Sequence, residues 1–143
     1  MEEKIINILL VEDDEVDVMN VKRAFRKNNI LNPLYVASNG LEALALLRGS
    51  NGSPPELSPH QLLILLDLNM PKMGGLEFLQ EVRADKNLRT IPVVILTTSN
   101  QDRDRLEAYQ LNIAGYILKP VTFGNFVETM ATLNKYWTLC EMP

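Results

Sequence analysis

The sequence predicts an α/β fold: a doubly wound sheet of five parallel strands in the order 2-1-3-4-5, with helices on both faces. Three observations predict it. Short runs rich in Leu, Ile and Val recur along the chain and are apolar at nearly every position, as strands covered on both faces of a parallel sheet are. Amphipathic segments alternate with these runs, and such alternation gives a parallel sheet with right-handed crossovers. Polar residues collect where the apolar runs end.

Ile5-Ile6-Asn7-Ile8-Leu9-Leu10-Val11 reads as the first strand, closed by Glu12-Asp13-Asp14. Asp14 can cap the following helix, and Asp17 sits near its N-terminus, where negative charge suits the helix dipole. That helix turns Val18, Val21 and Phe25 inward and places Lys22, Arg23, Arg26 and Lys27 outside or in its last turn, with Asn28-Asn29 as the stop. Pro33 precedes a short strand from Leu34 to Ala37, and Ser38-Asn39-Gly40 reads as a turn. Leu41, Leu44 and Leu47 mark a second helix.

Residues 49–61 carry three Pro, two Gly and three Ser and read as a flexible connection, a tolerated insertion at the N-terminal end of the next strand. Leu62-Leu63-Ile64-Leu65-Leu66 is that third strand, ending in Asp67. Met70-Pro71-Lys72-Met73-Gly74-Gly75 is a turn-rich loop, followed by a helix striped with Leu76, Leu79 and Val82. Pro92 opens the fourth strand, Val93-Val94-Ile95-Leu96, closed by Thr97-Thr98-Ser99. A polar helix over 102–111 has Leu106 and Tyr109 as its expected core anchors. Gly115-Tyr116-Ile117-Leu118 is the fifth strand, ending at Lys119-Pro120, and Phe126, Met130, Leu133 and Trp137 stripe a last helix.

The chain has 143 residues, which predicts a single domain over 1–143 with its core at about 8–133 and an extended last helix and tail. With 14 Lys+Arg against 18 Asp+Glu, the formal charge is −4, which argues against general nucleic-acid binding. The lone Cys140 excludes an internal disulfide and a Cys-based metal site, and the lone His60 excludes a His-cluster metal site. The start, MEEKIINILLVEDD, is acidic where a secretory signal is basic, and no apolar run approaches the length of a membrane span. The expectation is a cytoplasmic protein.

In open parallel α/β sheets, ligand sites form outside the C-terminal ends of the strands, at the point where the strand order reverses. For the order 2-1-3-4-5 that point lies between the first and third strands, which brings Glu12, Asp13 and Asp67 together. Three carboxylates in one crevice repel unless a cation is present, and hard oxygen ligands with room for water suit Mg²⁺. Lys119 would pair with an anion there, and Thr97 and Thr98 would bring hydroxyl donors. A carboxylate nucleophile, a divalent cation, a Lys and a hydroxyl describe a site that accepts a phosphoryl group.

The segments ILLVEDD, SNGLEAL, LILLDLNMPKMGGLEFL, IPVVILTTS and AGYILKP together resemble the receiver domain of two-component response regulators, from about Ile8 to Leu133. The resemblance implies a flavodoxin-like (βα)5 receiver with Asp67 as phosphoacceptor. It implies that Glu12 and Asp13 bind the metal, with Glu12 in the outer, often water-mediated role, and that the backbone carbonyl of Asn69 joins them. Thr97 is then the switch hydroxyl, Lys119 the phosphate-binding cation, Pro120 the proline of a cis peptide with Lys119, and Tyr116 the rotating aromatic. Thr98 departs from the pattern: it stands where the family often has a small residue, and its bulk crowds the site.

The same resemblance implies a signalling protein that catalyses only its own phosphorylation and slow dephosphorylation, with a histidine kinase as partner. The long loop, the Thr-Thr-Ser segment and the aromatic C-terminus resemble the stand-alone regulators of phytochrome-type kinases. Few residues follow Lys119, so the expected output is a protein contact at the helix 4–strand 5–helix 5 face. A homodimer through that face and the C-terminal aromatics is the further expectation. Trp137 falls on the core stripe, whereas Tyr136, Leu139 and Met142 are off it and extend an apolar patch.

Three other readings fit less well. A flavin-binding relative of the same strand order would need a Ser/Thr/Gly-rich loop where this chain has Glu-Asp-Asp. A haloacid-type hydrolase would need a second acid where this chain has Asn69. A receiver that no longer accepts phosphate would lack one of Asp13, Asp67, Thr97 or Lys119, and all four are present.

Overall fold

The apolar runs form β1 (Asn7–Val11), β2 (Leu34–Ala37), β3 (Leu62–Leu66), β4 (Val93–Thr97) and β5 (Gly115–Leu118) in a computed structural model that describes residues 6–50, 52–98 and 101–118, with 128, 131, 132 and 135. Every neighbouring pair is parallel, and the order is β2-β1-β3-β4-β5, as the sequence predicts. Four helices are described between the strands: α1 (Glu15–Lys27), α2 (Gly40–Arg48), α3 (Gly75–Ala84) and α4 (Asp102–Gln110). Of the expected fifth helix, Phe126, Met130, Leu133 and Trp137 lie outside the described residues, and Glu128, Ala131, Thr132 and Lys135 are helical.

β3 and β4 are buried at every position, which is why their sequences do not alternate. Successive side chains still point to opposite faces. Leu9, Val11, Ile64, Leu66, Val93 and Ile95 pack on one side with Leu44 and Leu47 of α2 and Phe78, Leu79 and Val82 of α3. Ile8, Leu10, Leu63, Leu65, Val94 and Leu96 pack on the other with Val21, Ala24 and Phe25 of α1.

The predicted cap of α1 is present: Asp14 accepts from the backbone N–H of Val16 at 2.8 Å and of Asp17 at 3.4 Å. Asn28 is its C-cap, and Asn29 takes the left-handed backbone (φ 54°) that ends a helix. The Ser38-Asn39-Gly40 turn is more specific than expected, because Asn39 caps α2 by accepting from Glu42 N–H at 2.9 Å.

Three expected placements are corrected. Leu41 is 54% exposed, and Ala43, Leu44 and Leu47 form the buried face of α2. At about 100° per residue, Leu41 lies roughly a third of a turn from Leu47, too far round to share its face. On α4, Leu106 and Tyr109 are 62% and 51% exposed, and the buried residue is Ala108. A small residue lets that polar helix lie close to the sheet without an anchoring side chain.

The connection at 49–61 is the third. Its described part is pinned: Leu57 is 2% exposed inside the core, and the N–H groups of Glu56 and Leu57 both donate to Leu46 O at 3.0 Å. Beside it, Arg48 bridges to Asp85 at 2.9 Å and Glu81 at 3.3 Å, tying the end of α2 to the end of α3. The Asn87 backbone N–H, and then Arg48, hold the Asp85 carboxyl below the usual carboxylate range against partial desolvation. Among the described residues no helix is long and apolar enough to cross a membrane.

Leu57→Ala is expected to cost about 2–5 kcal/mol in urea unfolding, the range for truncating a core leucine. A change within about 0.5 kcal/mol, typical of surface positions, would restore the view of this segment as a passive insertion.

Candidate functional site

The acids reach one another because β1 and β3 are neighbours in register, Val11 opposite Leu66. The backbone continues that register past the strand ends: Asp67 N–H donates to Val11 O at 3.0 Å, and Glu12 N–H donates to Ala37 O at 2.9 Å. The outcome is a cluster of Glu12, Asp13 and Asp67 with a carboxylate oxygen from each within 4.8 Å of the others. Glu12 and Asp67 are 3% and 6% exposed, whereas Asp13 is open to solvent.

Asp67 Oδ1 is buried and has no hydrogen-bond partner among the described residues. A buried acceptor left unpaired costs about 1–3 kcal/mol, and more when it is charged. Neighbouring carboxylates raise that cost, and a divalent cation removes it. The donor set, oxygen atoms only and partly open to water, fits a hard divalent cation.

The loop after β3 is fixed from both sides. At its far end α3 begins on Gly75, whose N–H donates to Leu68 O at 3.0 Å. A Cβ at Gly75 would collide with the carbonyl oxygen of Asp67 and lie 2.7 Å from Leu68 Cα. Only glycine lets the N-terminus of α3 come so near the backbone of Asp67. Midway, Lys72 and Met73 both take positive φ (50° and 73°), and Gly40 N–H donates to Met73 O at 3.2 Å.

Thr97 ends β4 fully buried, opposite Leu118 of β5. Lys119 and Pro120, which follow Leu118, lie outside the described residues, as do Tyr136, Trp137, Leu139 and Met142. Tyr116 is half-buried against the core, and the guanidinium of Arg105 on α4 stands 5.6 Å from its ring centre, within cation–π range. Asn69 and Thr98 are exposed, and Asn69 Nδ2 donates to Thr98 Oγ1 at 3.4 Å.

The fold therefore assembles Glu12, Asp13 and Asp67 and sets Thr97 on the strand beside them. Sequence reading missed Gly75, the Asn69–Thr98 bridge and Arg105 against Tyr116. The Gly74-Gly75 pair was a readable signal for the first. The other two are tertiary contacts without local signature.

The chain matches the family model of the response regulator receiver domain over residues 8–131. It is 36% identical over 130 residues to the probable methanogenesis regulatory protein FilR2 of Methanothrix harundinacea, covering 91% of this chain and 82% of that protein. It is 35% identical over 130 residues to the response regulator Rcp1 of Synechocystis, covering 91% and 87%. Among solved structures, the phosphorylated cyanobacterial phytochrome response regulator RcpA aligns with a TM-score of 0.81 at 32% identity, covering 97% of this chain and 99% of that one. The Mn²⁺-bound form of Rcp1 aligns with a TM-score of 0.80 at 32% identity, covering 95% and 97%.

Gly75→Ala is expected to push the Asp67 backbone out of the acid cluster and weaken divalent-cation binding about tenfold, equivalent to about 1.4 kcal/mol. Titration calorimetry with Mn²⁺ or Mg²⁺ measures it. An unchanged affinity would mean that α3 yields and Asp67 does not.

Proposed function

The chain belongs to the response regulator receiver family, and from that premise we propose that Asp67 accepts a phosphoryl group from a histidine kinase. The observation that carries the reading is the buried, unpaired Asp67 Oδ1 beside Glu12 and Asp13. In this reading it is a nucleophile shielded from solvent, in a cluster that the described residues build from acids alone.

In this reading an oxygen of Asp67 attacks the phosphorus of a phosphohistidine in line. The new P–O bond forms as the P–N bond breaks, and the imidazole leaves with the electron pair and takes up a proton. Glu12, in the outer role, with Asp13, Asp67 and the backbone carbonyl of Asn69, would hold Mg²⁺. Bound there, the ion neutralises charge on the transferring oxygens. Lys119 pairs with a second phosphoryl oxygen and the Thr97 hydroxyl donates to a third.

Moving inward to do so, Thr97 vacates space into which Tyr116 turns, at the expense of its stacking with Arg105. The surface of α4 and β5, where Leu106 and Tyr109 are exposed, carries the change outward. The neighbouring Lys119-Pro120 cis peptide belongs to the same reading. The amide of Asn69 can neither accept nor deliver a proton as a carboxyl would. The acyl phosphate therefore persists as a signal, and the protein catalyses only its own phosphorylation and slow dephosphorylation.

Similarity to Rcp1 and RcpA supports a phytochrome-type histidine kinase as the donor. The receiver spans the single sheet, works in the cytoplasm, and pairs with a second copy through the α4–β5 face and the C-terminal aromatics.

Incubation with acetyl phosphate and Mg²⁺, read by intact mass, should add one phosphoryl group to the wild-type chain and none to Asp67→Asn. Equal labelling of the two would sink the assignment. Thr98→Ala removes the Asn69–Thr98 bridge and should speed labelling severalfold; an unchanged rate would show that Thr98 does not crowd the approach.

A further inference from the structure

Arg83, in the last turn of α3, lies far along that helix from the acids. Its Nε donates to Leu111 O at 2.6 Å, Nη1 to Arg89 O at 3.0 Å and Ile91 O at 2.8 Å, and Nη2 to Asn112 O at 3.2 Å. All four partners are backbone carbonyls, and the partial burial of the guanidinium pulls its pKa below the ordinary arginine value. A planar fork with five N–H donors can serve four carbonyls at once; a lysine ammonium cannot.

The four carbonyls belong to two segments. Arg89 and Ile91 lead into β4, which ends at Thr97, and Leu111 and Asn112 lead from α4 into β5. One side chain thus ties the C-terminal end of α4 and the beginnings of both strands to α3, whose other end abuts Asp67 through Gly75.

The two ends of α4 differ accordingly. At its C-terminal end Ala108 and Ile113 are buried, Leu111 N–H donates to Ala108 O at 3.0 Å and Ala114 N–H to Val93 O at 2.7 Å. At the N-terminal end Gln101 gives no side-chain cap, Asp102, Arg103 and Leu106 are exposed, and Asp104 and Arg105 are only half-buried, Arg105 against the Tyr116 ring. That less anchored end is the one that follows Thr97 and Thr98 in the chain.

We propose that Arg83 is a positioning residue that makes the C-terminal end of α4 a fixed hinge, so that a rearrangement at Thr97 displaces the N-terminal end of α4 alone. The trigger rests on the phosphoacceptor reading above; the hinge itself does not.

Residue-resolved hydrogen exchange on the full chain tests it, with and without beryllofluoride and Mg²⁺ as a phosphoryl mimic. In the wild type, the mimic should change exchange at Arg105–Glu107 and leave Leu111–Ile113 unchanged. In Arg83→Met, exchange at Leu111–Ile113 should rise about tenfold or more before any mimic is added, as expected when bonds to a charged donor are lost. The mimic-induced change should then spread to those residues. Arg83→Lys, which keeps the charge without the fork, should behave like Arg83→Met, and it serves as the test if the Met variant does not fold.

A variant that is merely less stable, with the mimic-induced change still confined to Arg105–Glu107, would overturn the proposal. So would equal change at both ends of α4 in the wild type. Labelling of Asp67 by acetyl phosphate is scored separately. Its failure would sink the phosphoacceptor reading, while the exchange contrast at Leu111–Ile113 without the mimic would still decide the hinge.

Discussion

The structure turns on the electrostatic conflict that the strand order imposes among three carboxylates. Parallel pairing of β1 with β3 forces Glu12, Asp13 and Asp67 into one crevice, and the backbone bond from Asp67 to Val11 O prevents them from separating. Glu12 and Asp67 are also removed from bulk water, so screening is weak where the charges are closest. A fold that only had to be stable would place apolar residues there, as it does along the rest of β1 and β3. Its tolerance of the acids marks this end of the sheet as the place where stability is given up for chemistry.

That arrangement works only if the frame around it is stiff. β3, the strand that presents Asp67, is central and buried at every position. Phe78, Leu79 and Val82 of α3 back one face of the sheet, and Gly75 brings the helix against the backbone of Asp67. Asp67 therefore has little freedom to move. The parts with more freedom lie toward the β5 edge: α4 buries one side chain along its length, and β5 none completely. Rigidity and adaptability are separated across the sheet, with Thr97 on the boundary.

Much of this was legible in the residues. The unbroken apolar runs gave the parallel sheet because two-sided burial removes alternation, and the acids at the ends of β1 and β3 followed from strand order alone. Asp14 as a cap was local chemistry. What escaped was what depends on approach between distant segments. Leu106 and Tyr109 read as anchors because they are large side chains in an otherwise polar helix, whereas Ala108 is the residue that is buried. Leu41 belonged to a three-residue spacing that drifts around a helix. Arg83 carried no mark at all, since a guanidinium that binds main-chain carbonyls leaves no partner residue type to read.

The buried Leu57 changes what the connection before β3 is in polymer terms. A single long excursion would carry one large closure entropy and could fluctuate along its whole length. Fixing its middle to Leu46 O converts it into two short arcs, each with a smaller closure cost. The arcs are not equivalent. The first contains the antiparallel Ser50–Ser53 bridge and faces outward, so added residues there would lengthen only a surface turn. The second runs directly into Gln61, whose carbonyl accepts from Asn7 N–H at 2.9 Å and so sets the alignment of β1 against β3. An insertion in that second arc would be transmitted along the strand, and its effect would surface at the opposite end of the sheet, in the spacing between Asp67 and the acids of β1.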